Sequence, residues 1–172
     1  MMKTILAMLL FAAPVLAQEH PAAAPASGGC GPSGAQFDVS TNKNQHPVAQ
    51  PDSGKALVYV IEDMERTGTT MRVGLDGAWV GASKGKSYFF FSVDPGDHQL
   101  CTKWQSALFK KTADRIGSAI TLKAEPGKIY YLRIQVYERS ERDLAVKLEP
   151  VESAEGQFLV SSSGLSTSRP KK

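Results

Sequence analysis

The sequence predicts a mostly β domain, an antiparallel β-sandwich of about seven to eight strands with one short C-terminal helix. Three observations carry this. Between Lys55 and Pro150 the apolar residues recur with a period of two, in short runs. Gly, Pro and Asp signals punctuate those runs at regular intervals, as sandwiches and barrels require. Only the later stretch Pro150–Val160 has helical character, with Gly156 expected to interrupt it.

In chain order, Ala56–Ile61 (ALVYVI) is apolar on both faces, as a central strand is. Met71–Leu75 alternates, with Met71, Val73 and Leu75 on one face. Asp76-Gly77 is a strong hairpin signal, and Ala78–Ala82 is the return strand. Ser87–Val93 places Phe89, Phe91 and Val93 on one side and Tyr88 and Phe90 on the other. Asp94-Pro95-Gly96-Asp97 reads as a tight type II turn, and Glu125-Pro126-Gly127-Lys128 as a second Pro-Gly turn.

His98–Trp104 resumes the sheet with His98, Leu100, Thr102 and Trp104 inward and Gln99, Cys101 and Lys103 outward. Gln105–Arg115 reads as a loop or irregular edge. Ser118–Lys123 puts Ile120 and Leu122 inward. Ile129–Tyr137 is the longest strand, and Leu144–Leu148 pairs back on it across the charged loop Glu138–Asp143.

The flanks are different. Lys3, the apolar run Ile5–Phe11 and the small-residue site ending at Ala17 read as a signal peptide over residues 1–17, cleaved before Gln18. The run is shorter than the ~20 apolar residues that span a bilayer. Gln18, where a lipoprotein needs Cys, argues against a lipid anchor. Residues 18–53 read as a flexible leader, rich in Pro, Ala, Gly and Ser, continuing into an extended arm. The sandwich then covers residues 54–160, and residues 161–172 (SSSGLSTSRPKK) read as a disordered tail.

Export and an even cysteine pair predict a disulfide between Cys30 and Cys101. Cys101 is expected on the outward face of its strand, so the arm carrying Cys30 would lie over the outside of the sheet. The net charge of +3 is spread along the chain, which excludes the concentrated basic face that nucleic-acid binding needs.

Catalytic readings are poor. His98 and Cys101 lie three apart on a strand and so face opposite ways. His20, His46 and His98 are too dispersed for a metal motif, and no cofactor is implied. Asp94 and Asp97 are turn residues before they are a glycosidase pair. Glu62, Asp63, Glu65 and Arg66 read as a solvated charged tip. Gly81–Gly85 lacks the spacing and following helix of a phosphate loop. Ser161–Ser163 lacks the strand and turn of a nucleophile elbow.

Trp79, Trp104, Tyr131 and Tyr137 are the apolar candidates for contact. Tyr131 and Tyr137 with Arg133, on the outward face, would form a patch for a sugar or peptide. Packing against the arm or the C-terminal segment is the account placed ahead of it, since scattered surface aromatics are common.

The runs GKALVYVIED (Gly54–Asp63), VGLDGAWVG (Val73–Gly81), YFFFSVDPGDHQL (Tyr88–Leu100), EPGKIYYLRI (Glu125–Ile134) and LEPVESAEG (Leu148–Gly156) resemble, in this order, the bacterial domain-of-unknown-function family 2846. The resemblance implies exported or lipid-anchored proteins with a small β domain and no established activity, and it carries over no catalytic residue. The expectation is therefore a non-enzymatic, exported binding or structural module, periplasmic or extracellular, whose partner is an envelope protein or glycan. A glycan-binding protein using the outward aromatics is the first alternative, and a hydrolase of unrecognised type the second.

Overall fold

The computed structural model describes residues 29–64, 70–105, 117–140 and 143–172. The signal-peptide assignment (1–17), the first part of the leader, most of the 105–115 loop, Glu65 and Arg66 lie outside these residues. Ten strands and one helix are present among the described residues. They are β1 (Phe37–Asn42), β2 (Ala56–Glu62), β3 (Thr70–Leu75), β4 (Ala78–Lys84), β5 (Ser87–Val93), β6 (Gly96–Trp104), β7 (Gly117–Ala124), β8 (Ile129–Ser140), β9 (Asp143–Val151), α1 (Ser153–Ser161) and β10 (Gly164–Pro170). They form a six-stranded sheet, β1-β10-β5-β2-β8-β9, and a four-stranded sheet, β4-β3-β6-β7.

The expected alternations build the core between the sheets. Val58, Val60, Phe89, Val93, Leu132, Ile134, Val146 and Leu148 come from the larger sheet. Met71, Val73, Leu100, Trp104 and Leu122 come from the smaller. A second apolar cluster lies on the outer face of the larger sheet, around Leu57, Tyr59, Ile61, Tyr88 and Tyr131, beneath Leu159 of α1. β2 is therefore buried on both faces, which is what its unbroken apolar run requires.

Four expectations need correction. The sheets are not purely antiparallel, since β8 runs parallel to β2 and β10 parallel to β5. β2 and β8 start at neighbouring turns, tied by Gly127 N–H donating to Lys55 O at 2.8 Å, and so set off in the same direction. Both Pro-Gly junctions carry the chain from one sheet to the other, and the second forms the expected turn, with Gly127 at φ +73° and Lys128 N–H donating to Glu125 O at 3.2 Å. At the first, Gly96 has φ +139°, far from a type II value, because the chain switches sheets there. At the second, Tyr130 Oη accepts from Glu125 N–H and donates to Lys123 O, both at 3.0 Å.

The third correction concerns both ends. Part of the arm is β1, and the segment expected to be a disordered tail contains β10. These two pair antiparallel from Phe37↔Pro170 to Asn42↔Leu165. Backbone pairing and serine hydroxyls hold them, so no apolar period marks either one. The fourth is Gly156, which does not interrupt the helix but lets it approach the sheet. A Cβ there would overlap the Tyr131 ring. The Asp76-Gly77 turn is as expected, with φ +50° and +83°, the two positive values of a type I′ hairpin.

Candidate functional site

The outer face of the six-stranded sheet carries a row of aromatic rings. Tyr59 on β2 has Phe90 of β5 as its register partner on one side and Tyr131 of β8 on the other. The ring centroids lie 5.2 Å from Tyr59 in both cases, and Tyr88 lies 6.0 Å away. These separations suit tilted and offset aromatic pairs. His46, from the segment between β1 and β2, stacks on Tyr88 at 6.3 Å. Burial pushes the Tyr88 and Tyr131 hydroxyls above the usual phenol value, and the neighbouring Tyr59 adds to it. Tyr88 is wholly buried, yet among the described residues its hydroxyl has no hydrogen-bond partner.

This arrangement separates the three residues of the expected ligand patch. Tyr131 is 9 % exposed and lies under α1, so packing against the C-terminal segment is its role here. Arg133 is engaged by two carboxylates, with Nη2 to Glu149 Oε1 at 2.7 Å and Nη1 to Glu155 Oε1 at 2.6 Å. Lys147 also pairs with Glu149. The Lys147 ammonium and the Arg133 guanidinium hold the Glu149 carboxyl below its usual range. Only Tyr137, 46 % exposed, is open to solvent. Outward alternation was read correctly, but a helix covers that face near Tyr131.

The N-terminal arm crosses the outer face of the smaller sheet, where Cys30 is joined to Cys101. Gly74 permits the approach, since a Cβ there would strike the Cys30 carbonyl. Trp79 Nε1–H donates to Pro32 O at 2.9 Å, and the Arg72 guanidinium stacks 4.6 Å from the Trp79 ring centroid. Arg72 also donates to Ala35 O. Phe37 is gripped by the Gln105 amide, which accepts from its N–H at 2.8 Å and donates to its carbonyl at 2.7 Å. A pocket of about 310 Å³ beside the disulfide is lined by Gln99, Lys103, Ser118 and Ala119, among others.

Two polar constellations were missed or misread. Glu62 is not part of a solvated tip. It ends β2 with its side chain turned between the sheets, is fully buried, and accepts from Ser83 Oγ at 2.8 Å. The inward positions of β2 run Val58, Val60, Glu62, so period two located the site while charge suggested solvent. Ser166 Oγ of β10 donates to Ser87 Oγ at 2.7 Å in the same region.

His98, expected inward, lies at the rim. Its Nδ1 meets Asp76 Oδ2 at 2.6 Å and its Nε2 meets the Asp94 carbonyl at 2.7 Å. Burial opposes a charge on this ring, but the two acceptors outweigh it and raise its pKa. His98 and Cys101 are thus separately engaged, one with Asp76 and the other with Cys30. Among the described residues no three His, Cys, Asp or Glu side chains converge to hold a metal.

Fold and bonding together define a disulfide-closed, two-sheet β domain with an aromatic outer face under its own flanking segments. No curated protein matches the chain. A family model described as a protein of unknown function, DUF2846, matches residues 52–147, and the chain belongs to that family.

Proposed function

We propose that the chain is an exported, non-enzymatic module of the cell envelope that binds or braces another envelope component. The observation that carries this reading is the Cys30–Cys101 disulfide, which ties the N-terminal arm to the centre of the smaller sheet. Such bonds persist in oxidising compartments. The apolar N-terminal run with its small-residue cleavage site points the same way. Among the described residues no helix is long and apolar enough to cross a membrane. A rigid two-layer core with covered outer faces suits a scaffold better than a reaction vessel.

The test is expression of the full chain in a Gram-negative host, followed by fractionation, N-terminal sequencing and thiol labelling. The expected product is periplasmic, begins at Gln18 and has no labelled cysteine. A full-length cytoplasmic product with both thiols reactive would overturn the proposal. The glycan reading needs an open aromatic patch, and with Tyr131 beneath α1 only Tyr137 of the expected set supports it. No described feature favours the hydrolase reading over it.

A further inference from the structure

The outer face of the four-stranded sheet is filled on one side of the disulfide and hollow on the other. Over β3 the arm lies close, with the Cys30 carbonyl where a Cβ of Gly74 would be. Towards β7, the edge strand, the cavity of about 310 Å³ opens. Its shape follows from the register. Cys101 has Ala119 as its partner on β7, and Lys103 has Gly117. Directly opposed residues share a face, so the β7 positions beside the disulfide carry one methyl group and one bare backbone. Gly117 is required there, since a Cβ would meet Thr102 O at 2.7 Å and Lys103 Cγ at 3.1 Å. Two polar side chains border the hollow. Lys103 is half-buried, and among the described residues no carboxylate pairs with it. Gln99 is exposed, and among the described residues its side-chain amide makes no hydrogen bond.

We infer that this cavity binds a small monoanionic carboxylate with a short apolar body, of amino-acid size, through the Lys103 ammonium. The charge argument comes first. One half-buried cation balances one negative charge, and water screens it less than it screens a fully exposed lysine. Size comes next, because the volume is near the lower bound of about 300 Å³ for small-molecule sites. The floor then sets the body of the ligand. Ala119 and the two sulfurs offer apolar contact, which an inorganic anion does not use. Gln99 can both donate to and accept from a neighbouring amide of the ligand. Cys30 forms part of the wall, so the site is complete only when the disulfide is closed. The inference goes beyond the envelope-module reading and needs from it only the oxidised state.

The test adds N-acetylalanine, its neutral amide, N-acetyl-alanylalanine and inorganic phosphate, each separately, to the full, oxidised chain and follows backbone amide NMR shifts. N-acetylalanine should bind with a dissociation constant on the order of a millimolar, more weakly as salt is added, with the shifts centred on Gln99, Lys103 and Ala119. Lys103→Gln should weaken binding at least about tenfold, and Lys103→Arg should retain most of it. Ala119→Leu, which fills the floor and leaves the lysine in place, should abolish it. If that variant does not fold, the two Lys103 variants carry the comparison. Tighter binding of N-acetyl-alanylalanine would assign the site to the ends of peptides, and equal affinity to free acids. Phosphate or the neutral amide binding as tightly as N-acetylalanine overturns the inference. So does a folded, disulfide-bonded wild type whose Lys103 and Ala119 amides do not respond, and this leaves the envelope-module reading standing if the chain is exported and oxidised.

Discussion

The family-matched stretch, residues 52–147, and the segments flanking it are held by different physics. The matched stretch contains β2 to β8 and the first part of β9, and supplies almost all of the core between the sheets. Period-two apolar burial holds it together. The flanks supply β1, α1, β10 and Cys30; β1, β10 and the arm are held largely by covalent and polar contacts, and α1 by apolar packing. β1 and β10 pair with each other, Ser168 Oγ accepts from Ala82 N–H at 3.1 Å, and the disulfide ties the arm to β6. One apolar cluster joins the two regions, with its rings in the matched stretch and Leu159, Val160, Ala49 and Leu165 from the flanks covering them. The larger sheet of the matched stretch thus presents an apolar outer face that the flanks cover.

Breaking the covalent attachment should have the largest effect. The disulfide links residues 71 apart. Cys30→Ser/Cys101→Ser should lower unfolding stability by about 4 kcal/mol in the chain-entropy model, read from urea denaturation. An unchanged midpoint would mean that the arm is fixed by Trp79, Arg72 and Gln105 alone. Next comes the helix. Gly156→Leu drives a side chain into Tyr131 and should cost about 2 kcal/mol by overpacking. Near-ultraviolet circular dichroism should report the displaced ring, and a silent substitution would show that α1 is not pressed onto the sheet.

Tyr88→Phe has the opposite sign. It removes a buried hydroxyl that lacks a partner among the described residues, and should raise stability by about 1 kcal/mol. A loss on thermal melting would point to a bond at that hydroxyl.

The smallest effect is confined to the matched stretch. The folded pKa of His98 lies above its unfolded value. Its contribution is therefore complete below the unfolded pKa, about 6.5, and is lost as pH rises through the higher folded value. Urea midpoints should fall modestly from pH 6 to pH 9, and His98→Asn should flatten the decline. A steeper decline in the variant would sink this assignment.

The same division decides what could be read from the sequence. All eight expected strands lie between β2 and β9, because alternating Met71, Val73 or Leu132, Ile134 can do little but line a core. The disulfide was legible from the expectation of export and the cysteine count. β1 and β10 were not, since FDVSTN and GLSTSRP have few apolar residues to alternate. β1 pairs with β10, more than a hundred positions away in the chain, and β10 pairs also with β5, and no local pattern carries that information. Glu62 was misjudged because its charge suggested solvent, whereas its place two residues after Val60 on β2 aimed it inward. Tyr131 had the right face and, in its packing against the C-terminal segment, an expected neighbour; what the sequence did not show is how closely a helix containing Gly156 could approach it.

The disulfide also determines how the molecule bears load. β1 begins beside the end of β10, where Lys171 N–H donates to Gln36 O at 2.8 Å, so the two strands would peel apart easily if pulled from that end. Tension arriving along the residues before Cys30 does not reach them. It passes through the sulfur bridge into β6, which pairs with β3 on one side and β7 on the other. A tether at the N-terminal side would therefore pull on the middle of a sheet, and the weak ribbon would stay slack.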